Sequence, residues 1–162
     1  MLKKSILILL TIFLFFIESV ILSRFPWNGV TMPLVLTFGL AVSVASDEWD
    51  TIIMALLVGF LVDMYSNHLF GLNMLINLYV FLGLNQVKSY LRQEKNWLMA
   101  LIMAAAALLR CLVHFGVNYL TGLPQDVRVI PVLTLMVLIL GVPTLFLTRK
   151  LFIRQQKRTR LI

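Results

Sequence analysis

Six long stretches of this chain are predominantly apolar, and together they take up most of its length. They run over 5–23, 30–46, 51–66, 69–87, 97–120 and 130–148, and the second and third are short. A hydrocarbon layer about 30 Å thick needs about 20 apolar residues per crossing helix. Apolar types make up 60% of the 162 residues and charged types 13%, whereas a soluble domain carries roughly 25% charged residues. A globule of this size has no interior large enough for so much apolar side chain. Disorder, a disulfide scaffold and an ordinary soluble enzyme are excluded on that ground. The expected fold is all-α: a polytopic integral membrane protein with six transmembrane helices in one domain, 1–162.

Lys3 and Lys4 before the first apolar run imitate a signal peptide. The run is longer than a typical h-region and no small-x-small site follows before Arg24, so a retained helix is expected. Connections between the stretches are brief, with no repeat and no low-complexity tract. Pro33 opens the second span, where a missing N–H costs little. Pro143, beside Gly141, is expected to kink the sixth. Pro26 and Pro124 fall in turns.

The net charge is +7, and its distribution gives the orientation. With the N-terminus inside, cytoplasmic segments hold Lys3, Lys4, Lys88, Arg92, Lys95 and the six basic residues of the tail 149–162. External segments hold Arg24 and Arg128 alone. This asymmetry sets N-in and C-in, consistent with an even number of helices. The acidic loop Asp47-Glu48-Trp49-Asp50 is then cytoplasmic, and acidic residues weigh little in the rule. Trp27, Tyr65 and Tyr119 fall near the outer face and Trp49, Trp97 and Tyr90 near the inner one, as aromatic belts require. The basic tail lacks interleaved aromatic platforms, so anionic lipid is the expected partner and nucleic acid is not. Cys111 is the sole cysteine and reads as a packing residue. No His/Cys cluster has metal-ligand spacing, and no cofactor is expected.

Ionisable groups in hydrocarbon are costly and are the first place to seek function. Glu18, Asp63 and Arg110 lie in spans one, three and five, which run in the same direction. At 1.5 Å per residue each stands about 18–20 Å from the inner boundary. A shared depth suits an ion pair, so Arg110 is expected to pair with Asp63, with Glu18 second in line. His114 is one turn further on the same face of span five. Asn73 and Asn77 share a face of span four and suit interhelical hydrogen bonds. Bundle-holding is the first reading of all six residues and a proton or solute path the second. Catalysis reads poorly, because Gly-x-Ser-x-Gly, phosphate-loop and His-Glu-x-x-His motifs are missing and a nearby Arg would keep both acids ionised.

One stretch carries a sharper pattern. In Gly59-Phe60-Leu61-Val62-Asp63-Met64-Tyr65-Ser66-Asn67-His68-Leu69-Phe70-Gly71, an Asp stands four residues after one Gly and eight before another, at the corner between two spans. Gly59 shares the face of Asp63 and permits close helix approach. Gly71 can take φ > 0 where span four opens. The Asp63 carboxylate has three candidate donors: Arg110, Asn73 and the freed N–H groups at the start of span four. This pattern resembles the bacterial rod-shape-determining MreD family, as do the overall length, the six spans, Pro33 and the basic residues after the last span.

The resemblance implies a non-enzymatic component of the cell-elongation machinery. It would bind MreC directly, and through it MreB, the synthase RodA and a class B penicillin-binding protein. The layout is also similar to the substrate-binding S components of energy-coupling-factor vitamin transporters. In that second reading Glu18, Asp63, Asn73, Asn77, Arg110 and His114 line an outward-facing pocket, although the external loops are short. A flippase or proton-coupled transporter is a third, weaker reading without a detectable repeat.

Overall fold

A computed structural model describes residues 2–26, 30–65, 70–87, 96–122 and 127–159. Trp27, Tyr90, Pro124, Lys88, Arg92, Lys95 and Arg160 lie outside that set, and so do the side chains of Lys3, Tyr65 and 151–159. The described residues form six α-helices and no strand ladder: α1 (Leu2–Phe16), α2 (Leu34–Ala45), α3 (Glu48–Tyr65), α4 (Leu72–Val87), α5 (Asn96–Leu120) and α6 (Val129–Thr159). A π-helical turn, Ile17–Ile21, and a 3-10 turn, Leu22–Arg24, continue α1.

The bundle exposes large apolar side chains and encloses polar ones within its apolar core. Leu9, Phe13 and Phe16 of α1, Leu109 and Leu112 of α5, and Phe146 of α6 are exposed, while Thr11, Asp63, Asn73, Asn77, Arg110, Asn118 and Thr148 are buried. Water would penalise that arrangement and lipid favours it. Hydroxyls inside the helices follow the same rule. Those of Thr11, Thr37, Ser43, Thr144 and Thr148 donate to a carbonyl one turn back, so none needs water. Lys4–Arg24, Trp97–Leu120 and Val129–Lys150 are long and apolar enough to cross a membrane. By the same measure α2 and α4 are shorter apolar helices, and α3 carries Glu48, Asp50 and Asp63. Length and hydropathy therefore qualify three helices, where the sequence led us to expect six spans.

α2 is the axis of the fold. It packs against all five other helices, and every residue from Val35 to Val44 is buried. That all-round burial matches its all-round apolar sequence, LVLTFGLAVSVA. Two hairpins, α3–α4 and α5–α6, close around it. Phe38, Leu40, Met54, Val58, Phe81, Met103 and Leu145 fill the interior.

The helix ends depart furthest from the sequence reading at the C-terminus of α6. Hydropathy ends the sixth span at Thr148 and leaves a basic tail, but α6 continues as helix to Thr159. No Pro or Gly interrupts Arg149–Thr159, and its Leu, Arg, Gln and Lys residues are good helix formers. The hydropathy edge marks where lipid ends, not where hydrogen bonding ends. Pro143 sits inside α6, which remains one helix through it.

Gly59 fixes how closely α3 meets α4. A Cβ there would run into Met74 Cα and lie 2.7 Å from Met74 N. Backbone has no rotamer with which to give way, so the helices must separate to admit even one methyl. Gly59→Ala is expected to destabilise the fold by about 1–3 kcal/mol. Gly141→Ala is the control, because its Cβ would meet Ala100 Cβ at 3.5 Å, an ordinary contact. Thermal unfolding in detergent separates the two: a clear loss for the first, little change for the second.

Candidate functional site

The polar interior begins at the ends of two short apolar helices, α2 and α4. α2 has 12 residues, about 18 Å of helix, and so covers little more than half of a hydrocarbon layer about 30 Å thick. Its first N–H groups have no intrahelical acceptor, and hydrocarbon offers them none. Glu18, on the π turn that follows α1, supplies the acceptor: Val35 N–H donates to Glu18 Oε2 at 2.8 Å. At the other end, Asn85 Nδ2 of α4 donates to Ser43 O at 2.7 Å, Ser46 O at 3.2 Å and Thr51 Oγ1 at 2.8 Å. Side chains from neighbouring helices thus cap α2 at both ends.

α4 is treated in the same way. Asp63, 3% exposed near the end of α3, accepts from the first N–H groups of α4. Gly71 N donates to Oδ2 at 3.0 Å, Met74 N to Oδ2 at 3.2 Å and Asn73 N to Oδ1 at 3.2 Å. Gly71 has φ +93°, in the left-handed region that glycine adopts without strain. That turn aims its N–H back at the carboxylate. Close approach, anchor and turn thus fall to Gly59, Asp63 and Gly71 in that order.

Arg110 reaches this corner through the asparagines. Its Nε donates to Asn77 Oδ1 at 2.6 Å and its Nη2 to Asn73 Oδ1 at 2.8 Å. Asn73 Nδ2 in turn donates to Asp63 Oδ1 at 2.9 Å. Asn73 is the bridge between guanidinium and carboxylate, where the sequence led us to expect a direct pair. The guanidinium also interacts electrostatically with both Asp63 and Glu18. Two carboxylates against one guanidinium leave one negative charge. The N-termini of α2 and α4, each worth about +0.5, offset it. The cluster is thus close to neutral in a medium where a net charge is costly.

The structure brings Asp63, Asn73, Asn77 and Arg110 into one hydrogen-bonded chain. Glu18 stands at the neighbouring cap and is joined to Arg110 through charge alone. His114 lies one turn along α5, where its Nδ1 is 3.1 Å from Asn118 Nδ2. Asn118 and Asn85 were not singled out from the sequence. Asn85 continues the Asn73–Asn77 spacing two turns down α4, and Asn118 stands four residues after His114, so helical periodicity was the available signal. Asn77 Nδ2 is a buried donor without a hydrogen-bond partner among the described residues. Among those residues no group of three His, Cys, Asp or Glu side chains could hold a metal ion, and Cys111 is a buried free thiol. Chemically, the arrangement fixes two helix N-termini to α1, α3 and α5. Its acids are held as hydrogen-bond acceptors, as in an anchor.

No curated protein and no solved structure matches this chain. The family described as rod shape-determining protein MreD matches it over residues 2–154, which takes in the six apolar stretches and the whole Glu18–Asp63–Arg110 cluster. This chain belongs to the MreD family, a family of shape determination and not one of known enzymes.

Proposed function

We propose that this protein is a non-enzymatic scaffold of the bacterial cell-elongation complex. It sits in the inner membrane with six spans, N-in and C-in, and binds MreC directly. MreB filaments, RodA and a class B penicillin-binding protein are reached through MreC. The carrying observation is that positive charge which would attract an anionic solute is already answered from within. Asp63 occupies the α4 N-terminus and Glu18 the α2 N-terminus, the places that a substrate carboxylate takes in transporters built on broken helices. Such an interior is a rigid frame, and a rigid frame suits a protein that positions others. The basic α6 extension beyond Thr148 suits an anionic lipid surface, where each Lys or Arg gains about 1 kcal/mol.

The six-span reading is supported by the capping of α2 and α4. Both ends of α2 and the start of α4 are satisfied by side chains, as segments buried at membrane depth require. Counting Lys and Arg in the loops supports the orientation.

Co-purification tests the scaffold. MreC is expected to remain with this protein through mild-detergent extraction with no ligand added. Loss of that association, with both proteins well expressed, removes the scaffold reading. A second reading, the S component of a vitamin transporter, has in its favour Asn77 Nδ2, a buried donor without a hydrogen-bond partner among the described residues. A vitamin that co-purifies and is lost on Asn77→Ala, with abundance unchanged, would favour it.

A further inference from the structure

α1 is joined to the bundle along a narrow line. Among its described residues only Leu7 and Thr11 are buried, and the Thr11 hydroxyl meets Met54 Sδ of α3 at 3.6 Å. Toward the N-terminal ends of the two helices an open cleft separates them. It has about 180 Å³ of empty space and is lined by Lys4, Leu7 and Ile8 of α1 and by Asp50, Ile53 and Met54 of α3.

Four of those side chains are apolar and two carry opposite charges. Asp50 is 6% exposed, whereas Lys4 is exposed. The acid therefore stands inside the cleft and the cation at its mouth. Asp50 has interactions within the chain, but a carboxylate offers about four acceptor positions and can take a further donor. Trp49, the neighbour of Asp50, is 73% exposed, and an exposed indole beside an apolar span sits at headgroup level. Leu7, Ile8, Ile53 and Met54 stand about one turn deeper. The charged end of the cleft thus faces the headgroups and its apolar walls lead into the hydrocarbon.

We propose that this cleft binds a phospholipid whose headgroup carries a primary ammonium, phosphatidylethanolamine, from the inner leaflet. The proposal rests on the N-in orientation given above. The ethanolammonium enters the cleft and donates to Asp50, while the phosphate stays at the mouth against Lys4. An acyl chain then follows the four apolar side chains. Charge and size both select this headgroup. At about 30 Å³ for each water-sized group, the cleft has room for about six such groups, which admits a short ethanolammonium. A choline headgroup is bulkier and has no N–H to donate. A glycerol headgroup brings no cation to Asp50, so the buried acid would face the lipid phosphate uncompensated. Bound in this way, the lipid ties α1 to α3 where the helices part.

Native mass spectrometry of the delipidated protein in detergent tests this, with phosphatidylethanolamine, phosphatidylcholine and phosphatidylglycerol of identical acyl chains as probes. The parent is expected to hold one phosphatidylethanolamine more tightly than either of the others. Asp50→Asn is expected to weaken that binding by about tenfold, the worth of one charge-assisted hydrogen bond. Lys4→Gln is expected to weaken it by about fivefold, the worth of one basic residue at an anionic surface. Ile8→Trp, which fills the cleft from its rim, is expected to abolish it at an unchanged unfolding temperature, and it serves as the test should Asp50→Asn fold poorly. Equal retention of the three lipids overturns the proposal, as does parental binding in Ile8→Trp. Full competition by glycerophosphoethanolamine, which has no acyl chains, overturns the lipid as occupant in favour of a soluble ligand. In a Cys111→Ala background, labelling of Lys4→Cys from outside intact cells by an impermeant maleimide overturns the inner-leaflet placement, and the N-in reading fails with it.

Discussion

Asp63→Ala is expected to remove most of the folded protein from detergent extracts, while Asp63→Asn retains an intermediate amount. Alanine takes away the acceptor for Gly71, Asn73 and Met74 N–H and for Asn73 Nδ2. Loss of a helix cap alone costs about 0.5–2 kcal/mol. Removing one member of a buried charged cluster costs about 3–5 kcal/mol, because the opposite charge stays buried without compensation. The larger figure applies, since Asp63 is buried and hydrocarbon offers its donors no substitute. Asparagine keeps one oxygen at the cap and gives up the charge, so it separates the two contributions. Thermal unfolding of detergent-solubilised protein, followed by size exclusion, is the measurement. Equal stability of the alanine variant and the parent would mean that the α3–α4 corner does not depend on this anchor.

How the corner was legible in the sequence, and how the rest was not, has a physical reason. Gly59, Asp63 and Gly71 lie within one hairpin, so local spacing alone limits what their backbone and side chains can meet. Asn73 and Asn77 were visible as a helical stripe for the same reason. Counting residues along a helix gives the depth of Glu18, Asp63 and Arg110 but not the direction in which each one points. Depth brought Arg110 to the level of Asp63; the packing of α5 beside α4 decided that asparagine oxygens would receive its guanidinium. Glu18 and Asn85 as the two caps of α2 could not be read at all. That assignment depends on which helix lies at the centre, and a short apolar segment gives no sign of centrality beyond being apolar on every side. The end of α6 was missed for the opposite reason: hydropathy reports solvent, and the helix outlasts the change of solvent.

Arg110→Lys is expected to behave nearly as badly as Arg110→Met, although lysine keeps the charge. The guanidinium holds Asn77 with Nε and Asn73 with Nη2, two donors in a fixed fork. An ammonium is a single point on a flexible stem and cannot reproduce that fork. Each Asn oxygen left unpaired in the interior costs about 1–3 kcal/mol. Arg110→Met removes the charge as well, leaving Asp63 and Glu18 facing each other's field without a cation, and a loss of about 3–5 kcal/mol is expected. Charge balance then predicts a rescue. Glu18→Gln in the Arg110→Met background is expected to recover part of the loss, because it removes one of two uncompensated negative charges. Its amide oxygen still accepts from Val35 N–H at the start of α2. The coupling between the two positions, read from a double-mutant cycle of unfolding midpoints, is expected to fall within about 0.5–3 kcal/mol. Strict additivity would separate the α2 cap from the α4 corner. The interior would then be two independent anchors in place of one cluster balanced around a single guanidinium.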